Sequence, residues 1–401
     1  MFTKVKALIL LASTLISFGS FSQTPVCIEV VDSYKGRERV NLSTFGSSIE
    51  YISLETNGNT LYSYPTVKGI QGDSIILLKS ANRISLFDKK TGKYMQDVGH
   101  QGIDPDSFNS PGPLAFNTNN GNVFAYGYRT VLEFDLTTNK IVSKLNVPDI
   151  SEMGKGLTFG DNGTRVETQI SMNRWSPEGY FIGLVQNYSG KEKLKIILYN
   201  LKGEILKIYK NHQEFNKSKT GNYRMYGTSL HEFEGLNYTK EWFSDTVFSF
   251  NRNSIQPAYY FNTGKHSPPY AQQDLLSDEE RKRLMFISSL EEDAGFLYFQ
   301  LFHKSKFRVG LYDKAKGITR ISEPEKDGLM GFYNDIDDFI PFYPTLKTPE
   351  GKLIGTISAE DVLIWFEENP KFAKVLPPEL QKLKNLDPED NPVVMIVTPK
   401  N

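Results

Sequence analysis

Residues 84–98, ISLFDKKTGKYMQDV, contain two short β-favouring segments separated by a polar turn. The segments ISLF and YMQDV supply apolar and aromatic side chains, which suit the buried face of a strand. In the turn, Asp88 can hydrogen-bond nearby backbone groups, and Gly92 tolerates the positive φ that hairpin turns demand. The stretch therefore predicts a β-hairpin.

Weaker copies of this hairpin recur along the chain. Each has an aromatic residue, then in most copies Asp or Asn, then a polar turn with Gly or Asn. The copies are FDLTTNK (134–140), YNLKGE (199–204), FSFNRN (248–253) and YDKAKG (312–317). Their Asp or Asn residues recur at intervals of 47 to 65 residues. A blade of a β-propeller takes roughly 40–50 residues, and longer loops would extend that spacing.

Five hairpins and an irregular C-terminal unit predict an all-β fold, a six-bladed β-propeller formed by residues 23–401. The predicted strands are short, are punctuated by Gly and Asn, and are almost never separated by helical patterns, which argues against an α/β fold. A pair of β-sandwiches and a two-domain β protein are the alternatives that the residues alone leave open.

The C-terminal run VVMIV (393–397) is strongly apolar and β-branched. As an exposed edge strand such a run would promote aggregation. We therefore predict that Val393–Val397 pairs with Ile49–Leu54 in the last blade, so that N- and C-terminal strands close the ring.

The N-terminus predicts export. Lys4 and Lys6 precede an apolar core, ALILLASTLISF (7–18), and the small-x-small sequence SFS (20–22) predicts cleavage of a signal peptide, residues 1–22. No second apolar run of this kind follows, so we expect no transmembrane span in the mature chain and a periplasmic or extracellular location. Lipid anchoring at Cys27 is disfavoured, because Thr-Pro-Val rather than a small residue precedes it.

The charge is balanced, with 46 basic and 47 acidic residues, so the composition does not predict a nucleic-acid partner or a basic membrane surface. The single cysteine excludes an internal disulfide. There is no Gly-x-Ser-x-Gly elbow, P-loop or dinucleotide-binding turn.

No cofactor is predicted, although two metals remain alternatives. The five histidines form no HxH or HExxH pair, so a Zn²⁺ site would need histidines from several blades. Asp335, Asp337 and Asp338, in NDIDD (334–338), are the candidate Ca²⁺ ligands. Turn capping is the competing explanation, because the Gly and Glu of an EF-hand are absent.

Four residues are the candidate ligand-binding side chains. Arg174 and Trp175, in RWSP (174–177), and Trp242 are predicted to lie in loops, and His100 is the fourth candidate. At the mouth of a propeller channel, Trp beside Arg could stack on a sugar or a peptide side chain. Packing of the tryptophans in the core is the alternative.

The chain resembles exported bacterial six-bladed β-propellers of unknown function, which are related to the NHL-repeat type. Four stretches carry the resemblance: 87–99, 244–259, 333–342 and 390–395. The resemblance implies the fold and an exported location, but no agreed substrate and no catalytic residues.

We expect a non-catalytic binding or scaffold protein that recognises a glycan, a peptide or a partner protein through its loops and channel mouth. The alternative is a metal-assisted lyase or hydrolase with its site in the central channel. That alternative requires His, Asp or Glu side chains from several blades to converge on one point. A structural subunit of an envelope complex is a third possibility, which a large exposed apolar patch would support.

Overall fold

A computed structural model describes residues 24–72, 74–104, 107–108, 114–117, 119–126, 129–159, 164–218, 227–324 and 328–400. The predicted signal peptide, residues 1–22, lies outside the described residues. Six sheets form the six blades of a β-propeller, which confirms the predicted fold; each blade has four antiparallel strands, and one blade has a fifth strand added at its edge.

The described chain begins at the outer edge of the ring. Its first elements are strand β1 (Val26–Glu29), helix α1 (Val31–Lys35), a 3₁₀ turn (Leu42–Thr44) and strand β2 (Gly46–Ser53). Strand β2 is the fourth strand of blade six. Blades one to three follow, and a separate two-stranded hairpin, β11–β12, lies between blades two and three in the sequence.

The strands of blade one are β3 (Thr66–Gln71), β4 (Ile75–Lys79), β5 (Ile84–Asp88) and β6 (Tyr94–Asp97). Those of blade two are β7 (Leu114–Phe116), β8 (Val123–Tyr126), β9 (Thr130–Asp135) and β10 (Lys140–Asn146). The hairpin is β11 (Leu157–Phe159) and β12 (Thr164–Val166). Blade three is β13 (Ile170–Ser176), β14 (Tyr180–Val185), β15 (Leu194–Tyr199) and β16 (Ile205–Lys210).

Blade four is β17 (Thr228–Phe233), β18 (Leu236–Glu241), β19 (Thr246–Phe250) and β20 (Ile255–Asn262). Two 3₁₀ turns (Gly264–His266 and Tyr270–Gln272) and helix α2 (Asp278–Lys282) connect it to blade five. Blade five is β21 (Phe286–Glu292), β22 (Phe296–His303), β23 (Lys306–Asp313) and β24 (Ile318–Ile321). Strand β1 extends blade four, because it pairs in parallel with β20.

Blade six contains the remaining elements. They are β25 (Leu346–Lys347), β26 (Leu353–Ile357), α3 (Ala359–Glu368), α4 (Pro370–Ala373), α5 (Pro378–Gln381), a 3₁₀ turn (Lys382–Asn385) and β27 (Val393–Pro399). The helical segment is inserted between β26 and β27. Val362 and Trp365 of α3 are buried against the core, and the Trp365 ring meets Phe339 edge-on at 4.6 Å.

The ring closes as predicted. Strand β27 lies between β26 and β2 and is antiparallel to both, with Ile49 opposite Val397 and Ser53 opposite Val393. The five side chains from Val393 to Val397 are all buried. Residues from the two ends of the chain therefore complete blade six, and neither strand is left as an unpaired apolar edge.

All five copies of the sequence repeat are turns between the third and fourth strands of a blade. In each turn the side-chain oxygen of the Asp or Asn accepts a backbone N–H from a residue two to four positions ahead, as its polarity predicts. These residues are Asp88, Asp135, Asn200, Asn251 and Asp313.

The same turns connect neighbouring blades. The Glu55 N–H, just after β2, donates to the Gly92 carbonyl at 2.8 Å, and Asn139 Nδ2 donates to the Asp97 carbonyl at 2.9 Å. Gly92 has a φ of +70°, and a Cβ there would lie 2.0 Å from the Ser53 carbonyl oxygen. The turn therefore needs glycine at position 92 both for its backbone conformation and for the close approach of the next blade.

The first strands of the blades surround the axis of the ring. These strands are β3, β7, β13, β17, β21 and β25, and most of them contact the first strands of the adjacent blades. Apolar and aromatic side chains fill the spaces between blades; Phe181, for example, stacks on Tyr199 and meets Trp175 at 4.8 Å. This packing fixes the first strands and so positions the residues at the axis.

Candidate functional site

Five of the six first strands carry an ionisable side chain that is half-buried or buried. These residues are Lys68 in β3, Arg174 in β13, His231 in β17, Glu291 in β21 and Lys347 in β25. Burial of a charge is unfavourable unless the group is paired or hydrogen-bonded. The partners of each side chain therefore decide whether it serves the scaffold or is available to a ligand.

Two of these cations bind backbone carbonyls of an adjacent blade. Arg174 Nη1 donates to the Leu230 carbonyl on β17 at 2.5 Å, and Lys347 Nζ donates to the Glu292 carbonyl on β21 at 2.7 Å. A first strand has no neighbouring strand on its axial edge, so its backbone groups need other partners. Arg174 and Lys347 supply them, and they hold blade three to blade four and blade six to blade five.

Strand β21 contains a bulge that depends on both neighbouring blades. Its ladder with β22 shifts before Glu291, and Ser289 has a φ of +48°. The Ser289 carbonyl accepts a hydrogen bond from Tyr343 Oη at 2.5 Å, and the Leu290 N–H donates to Ser229 Oγ at 3.1 Å. A bulge changes the direction in which the following side chains point. Contacts from blades four and six therefore set the orientation of Glu291 and of the residue after it.

Glu291 is a buried carboxyl group with few hydrogen bonds to offset the loss of its hydration. Among the described residues its carboxylate accepts one hydrogen bond, from the Glu292 N–H at 3.3 Å. Burial raises the pKa of Glu291, and interaction with His231, Arg174 and Lys347 offsets the rise only in part. The charged form of Glu291 is thus disfavoured in the folded protein.

Glu292 has the opposite environment. Its carboxylate lies 3.0 Å from His231 Nε2, 2.5 Å from Tyr259 Oη and 2.7 Å from Lys314 Nζ. Burial alone would raise its pKa, but the hydrogen bonds and charges of His231 and Lys314 lower the pKa of Glu292 below its ordinary value. The His231 ring stacks on Tyr238, and its Nδ1 has no partner among the described residues.

The two carboxyl groups do not form a single reaction site. Residues 291 and 292 are consecutive in a strand, so their side chains point to opposite faces. Across the described residues, no three His, Cys, Asp or Glu side chains lie close enough together to hold a metal ion. The described geometry therefore supplies a charged, internally bonded axis and, among the described residues, no cluster of metal ligands.

Two of the candidate ligand-binding residues lie in a strand and not in a loop, which corrects the prediction of their location. Arg174 and Trp175 belong to β13, because the turn begins only at Pro177. The Trp175 side chain is 4% exposed and packs against Phe124 and Phe181, with ring centroids 4.9 and 4.8 Å away. Core packing, the alternative considered for the tryptophans, describes Trp175.

The other two candidates are more accessible. Trp242 lies in the turn after β18, half-buried against Phe286 and Phe302. His100 is exposed and follows β6, with its Nε2 at 2.8 Å from Asp104 Oδ2. The structure thus separates Trp242 in blade four from His100 beyond blade one, and a ligand-binding role for either residue stays a prediction.

The three aspartates of the NDIDD segment point to different partners. Asp335 accepts hydrogen bonds from Ser43, and Asp338 accepts one from Tyr333 Oη at 2.8 Å. Asp337 accepts the Tyr51 hydroxyl at 3.2 Å, and burial raises the pKa of Asp337. Each carboxylate thus stabilises the connection that leads into blade six, and Ca²⁺ binding at these residues stays a prediction.

A shallow cleft of about 230 Å³ lies between blades six and one. Ile70, Ile354 and Ile396 form its apolar wall, and Lys352 and Glu350 form part of its polar rim. It contains neither the four candidate ligand-binding residues nor the axial carboxylates.

Sequence reasoning did not single out Glu291, Glu292 or Lys347. The sequence did mark Glu291 and Glu292 as unusual, because the acidic run Glu-Glu-Asp (291–293) interrupts a strand pattern that is apolar and aromatic on both sides. His231 was visible as one of five histidines, but its carboxylate partner is 61 residues away in the sequence. No local pattern reveals such a pair.

Comparison with known proteins supports the fold. The chain is similar to the crystal structure of a putative exported protein from Bacteroides fragilis NCTC 9343, with a TM-score of 0.63 and 15% identity over 94% of this chain and 100% of that one. It is also similar to a member of the DUF4221 family from Bacteroides vulgatus ATCC 8482, with a TM-score of 0.51 and 11% identity over 89% and 98% of the two chains.

No match is found among curated proteins. In the described part of the chain, none of the helices has the length and apolar character that crossing a bilayer requires. A family model described as "Domain of unknown function (DUF4934)" matches residues 25–398.

Proposed function

This chain belongs to the DUF4934 family, and we propose that it is an exported, non-catalytic binding or scaffold protein. It would recognise a glycan, a peptide or a partner protein through its loops and channel mouth. The division of roles between axis and loops supports this proposal. At the axis, Arg174 and Lys347 are bound to backbone carbonyls and hold the blades together. Recognition is then left to the segments that connect the blades.

The observation that carries the proposal is the conformation of Tyr64. This residue lies two positions before β3, a first strand, and therefore at one end of the channel. It is 91% exposed and has a φ of +54°. A bulky residue rarely adopts a positive φ, and such strain persists only where the surrounding structure imposes it.

Contacts with blade one hold the loop that contains Tyr64. The Ala81 N–H donates to the Ser63 carbonyl at 3.4 Å, and the Arg83 guanidinium donates to the Asn59 carbonyl. These contacts tie the 54–65 connection to the turn between β4 and β5. The aromatic ring of Tyr64 is thus presented to solvent by a braced loop, as a binding surface requires.

The proposal also includes the location of the protein and the classes of partner that it excludes. We propose a periplasmic or extracellular location after removal of residues 1–22, with Cys27 unlipidated. Neither a nucleic-acid partner nor a cofactor is part of the proposal, and a relation to NHL-repeat propellers stays a prediction. The metal-assisted lyase or hydrolase remains the alternative, and it would need Ca²⁺ or Zn²⁺ at the predicted ligands.

The test is binding of the mature chain, residues 23–401, to a panel of purified polysaccharides and envelope peptides by isothermal titration calorimetry. Aromatic contacts contribute about 0.5–1.5 kcal/mol, so Tyr64→Ala should weaken the best ligand by roughly 2- to 12-fold. Tyr260→Ala, which removes an exposed tyrosine on β20 of blade four, is the matched control and should leave the Kd unchanged.

Equal loss of affinity in both tyrosine variants, or in neither, would contradict recognition at this mouth. Metal analysis of protein purified without chelator addresses the alternative. Stoichiometric Ca²⁺ or Zn²⁺ that is lost on substitution of Asp335 and Asp337 would favour the metal-assisted enzyme.

A further inference from the structure

We infer that Lys68 and Lys79 form an anion-binding subsite at the channel mouth and that it takes the carboxylate or sulfate group of an acidic saccharide. This inference rests on the proposed function, because it names the ligand class of the same mouth. It is carried by the position of the two lysines, by the absence of acceptors for them among the described residues, and by their proximity to Tyr64.

The two lysines lie at one end of the β3–β4 ladder. Lys79 is opposite Thr66, and the register shifts between Val67 and Gly69, so Lys68 is the extra residue of a bulge. Bulges change the direction of a side chain and are common beside binding sites. Both lysines are half-buried. Burial lowers the pKa of each, and the charge of Lys79 lowers the pKa of Lys68 further.

These lysines, in the first and second strands of blade one, differ from the cations of the other first strands. Arg174 and Lys347 each donate to a carbonyl of an adjacent blade, within 2.7 Å. Within the described ranges, the side-chain ammonium groups of Lys68 and Lys79 make no hydrogen bond or ion pair with another residue. A partly buried ammonium group without a partner is unfavourable, and a second one nearby increases that cost. An anion bound between the two would supply both partners.

Tyr64 indicates which kind of anion fits. It lies two residues before Thr66, the residue opposite Lys79, and Ser63 contacts Ala81, two residues after Lys79. The exposed ring and the two ammonium groups therefore lie at the same end of blade one. A saccharide ring can stack on an aromatic face while its charged substituent reaches the lysines. A free inorganic anion would use the lysines but not the ring.

The experiment titrates the mature chain with trigalacturonate, with neutral galactotriose and with a tri-glutamate peptide. The variants are Lys68→Gln and Lys79→Gln, and Lys202→Gln removes an exposed lysine of the β15–β16 turn as the control. We expect trigalacturonate to bind the wild type and Lys202→Gln with equal affinity. It should bind Lys68→Gln and Lys79→Gln at least tenfold more weakly. Its affinity should also fall with added NaCl.

A second measurement does not need the natural ligand. Sulfate stabilises folded proteins in general, so Lys68→Gln should also gain melting temperature when sulfate replaces chloride at constant ionic strength. The gain should be larger for the wild type and for Lys202→Gln, because in them sulfate also binds the subsite. In chloride alone, Lys68→Gln should melt no lower than the wild type, because the substitution removes an unpaired, partly buried charge. A lower melting temperature for Lys68→Gln, or an equal sulfate effect in all proteins, would overturn the anion subsite.

The outcomes separate the inference from the proposed function. If galactotriose binds as well as trigalacturonate and only Tyr64→Ala weakens it, the anion subsite is wrong and the binding function stands. If the tri-glutamate peptide binds more tightly than trigalacturonate in a lysine-dependent way, the saccharide class is wrong. If no variant alters the affinity for any probe, both the subsite and the recognition role of this mouth are wrong.

Discussion

Glu291 and Glu292 provide a sharp test of how the axis is stabilised, because the same substitution should have opposite effects at the two positions. Glu291→Gln removes a buried charge whose carboxylate has one hydrogen bond among the described residues. Glu292→Gln removes the anion between His231 and Lys314. The side chains differ little in size, so the comparison isolates the charge.

The environments of the two side chains set the expected changes in the free energy of unfolding. Removing one partner of a buried ion pair costs about 3–5 kcal/mol, so Glu292→Gln should destabilise the protein by that amount. An inadequately paired buried polar group costs roughly 1–3 kcal/mol, so Glu291→Gln should be neutral or stabilising by up to that amount. With an unfolding entropy of about 2.1 cal/mol/K per residue, the Glu292 effect corresponds to a melting temperature lower by roughly 4–6 °C.

The pH dependence follows from the two pKa directions. The pKa of Glu292 is lowered on folding, so its contribution to stability is present above about pH 4.5 and is lost as the pH falls through the lowered value. The pKa of Glu291 is raised, so its penalty grows as the pH rises from about 4.5 through the raised value. Both variants should therefore approach wild-type stability in acid and diverge from it, in opposite directions, near pH 7.

The assay is equilibrium urea unfolding of the mature chain at pH 7 and at a series of lower pH values that extends to about pH 3. Glu360→Gln, which substitutes an exposed residue of α3, is the control. Equal destabilisation by Glu291→Gln and Glu292→Gln at pH 7 would refute the reasoning, because it would show that the Glu291 carboxylate is fully compensated. A pH-independent effect at Glu292 would show that packing, and not its charge, stabilises the junction.

Two further predictions concern the ring. Deleting residues 391–401 removes β27 from the centre of its ladder, so the protein should become insoluble or protease-sensitive; normal solubility with an unchanged melting curve would contradict closure of the ring by this strand. Gly92→Ala should cost more than 1 kcal/mol in urea unfolding, because of the positive φ and the approach of the Ser53 carbonyl. Gly179→Ala, at a φ of +84° with open space around it, measures the conformational part alone, and equal costs for the two would show that the close approach is irrelevant.

The architecture was predictable because its signals are local. Each copy of the repeat has an Asp or Asn whose side chain accepts a backbone N–H two to four residues ahead, as Asp88 and Asp135 do. The same residue types therefore recur at the same place in each hairpin. Ring closure was predictable for a different reason, since the apolar run Val393–Val397 required a partner strand. The parallel pairing of β1 with β20 left no such signal, because it joins residues more than 200 positions apart.

The candidate site was much less predictable. RWSP was predicted to lie in a loop, but the strand continues to Ser176 and buries Trp175 before the turn begins. The role of Arg174 depends on the carbonyl of Leu230, 56 residues away, and that of Lys347 on a carbonyl in the preceding blade. Such contacts depend on the assembled ring, and nothing in the neighbouring sequence encodes them.

The contrast among the axial cations separates scaffold from recognition. Where an adjacent first strand offers a free carbonyl, the cation binds it, as Arg174 does on β17. Lys68 lies in β3, which adjoins β7 of blade two, and its side chain has no such bond among the described residues. A cation retained there without an acceptor does not hold the described blades together. Its position near Tyr64, which is exposed and has a positive φ, is the feature that the proposed anion subsite would use.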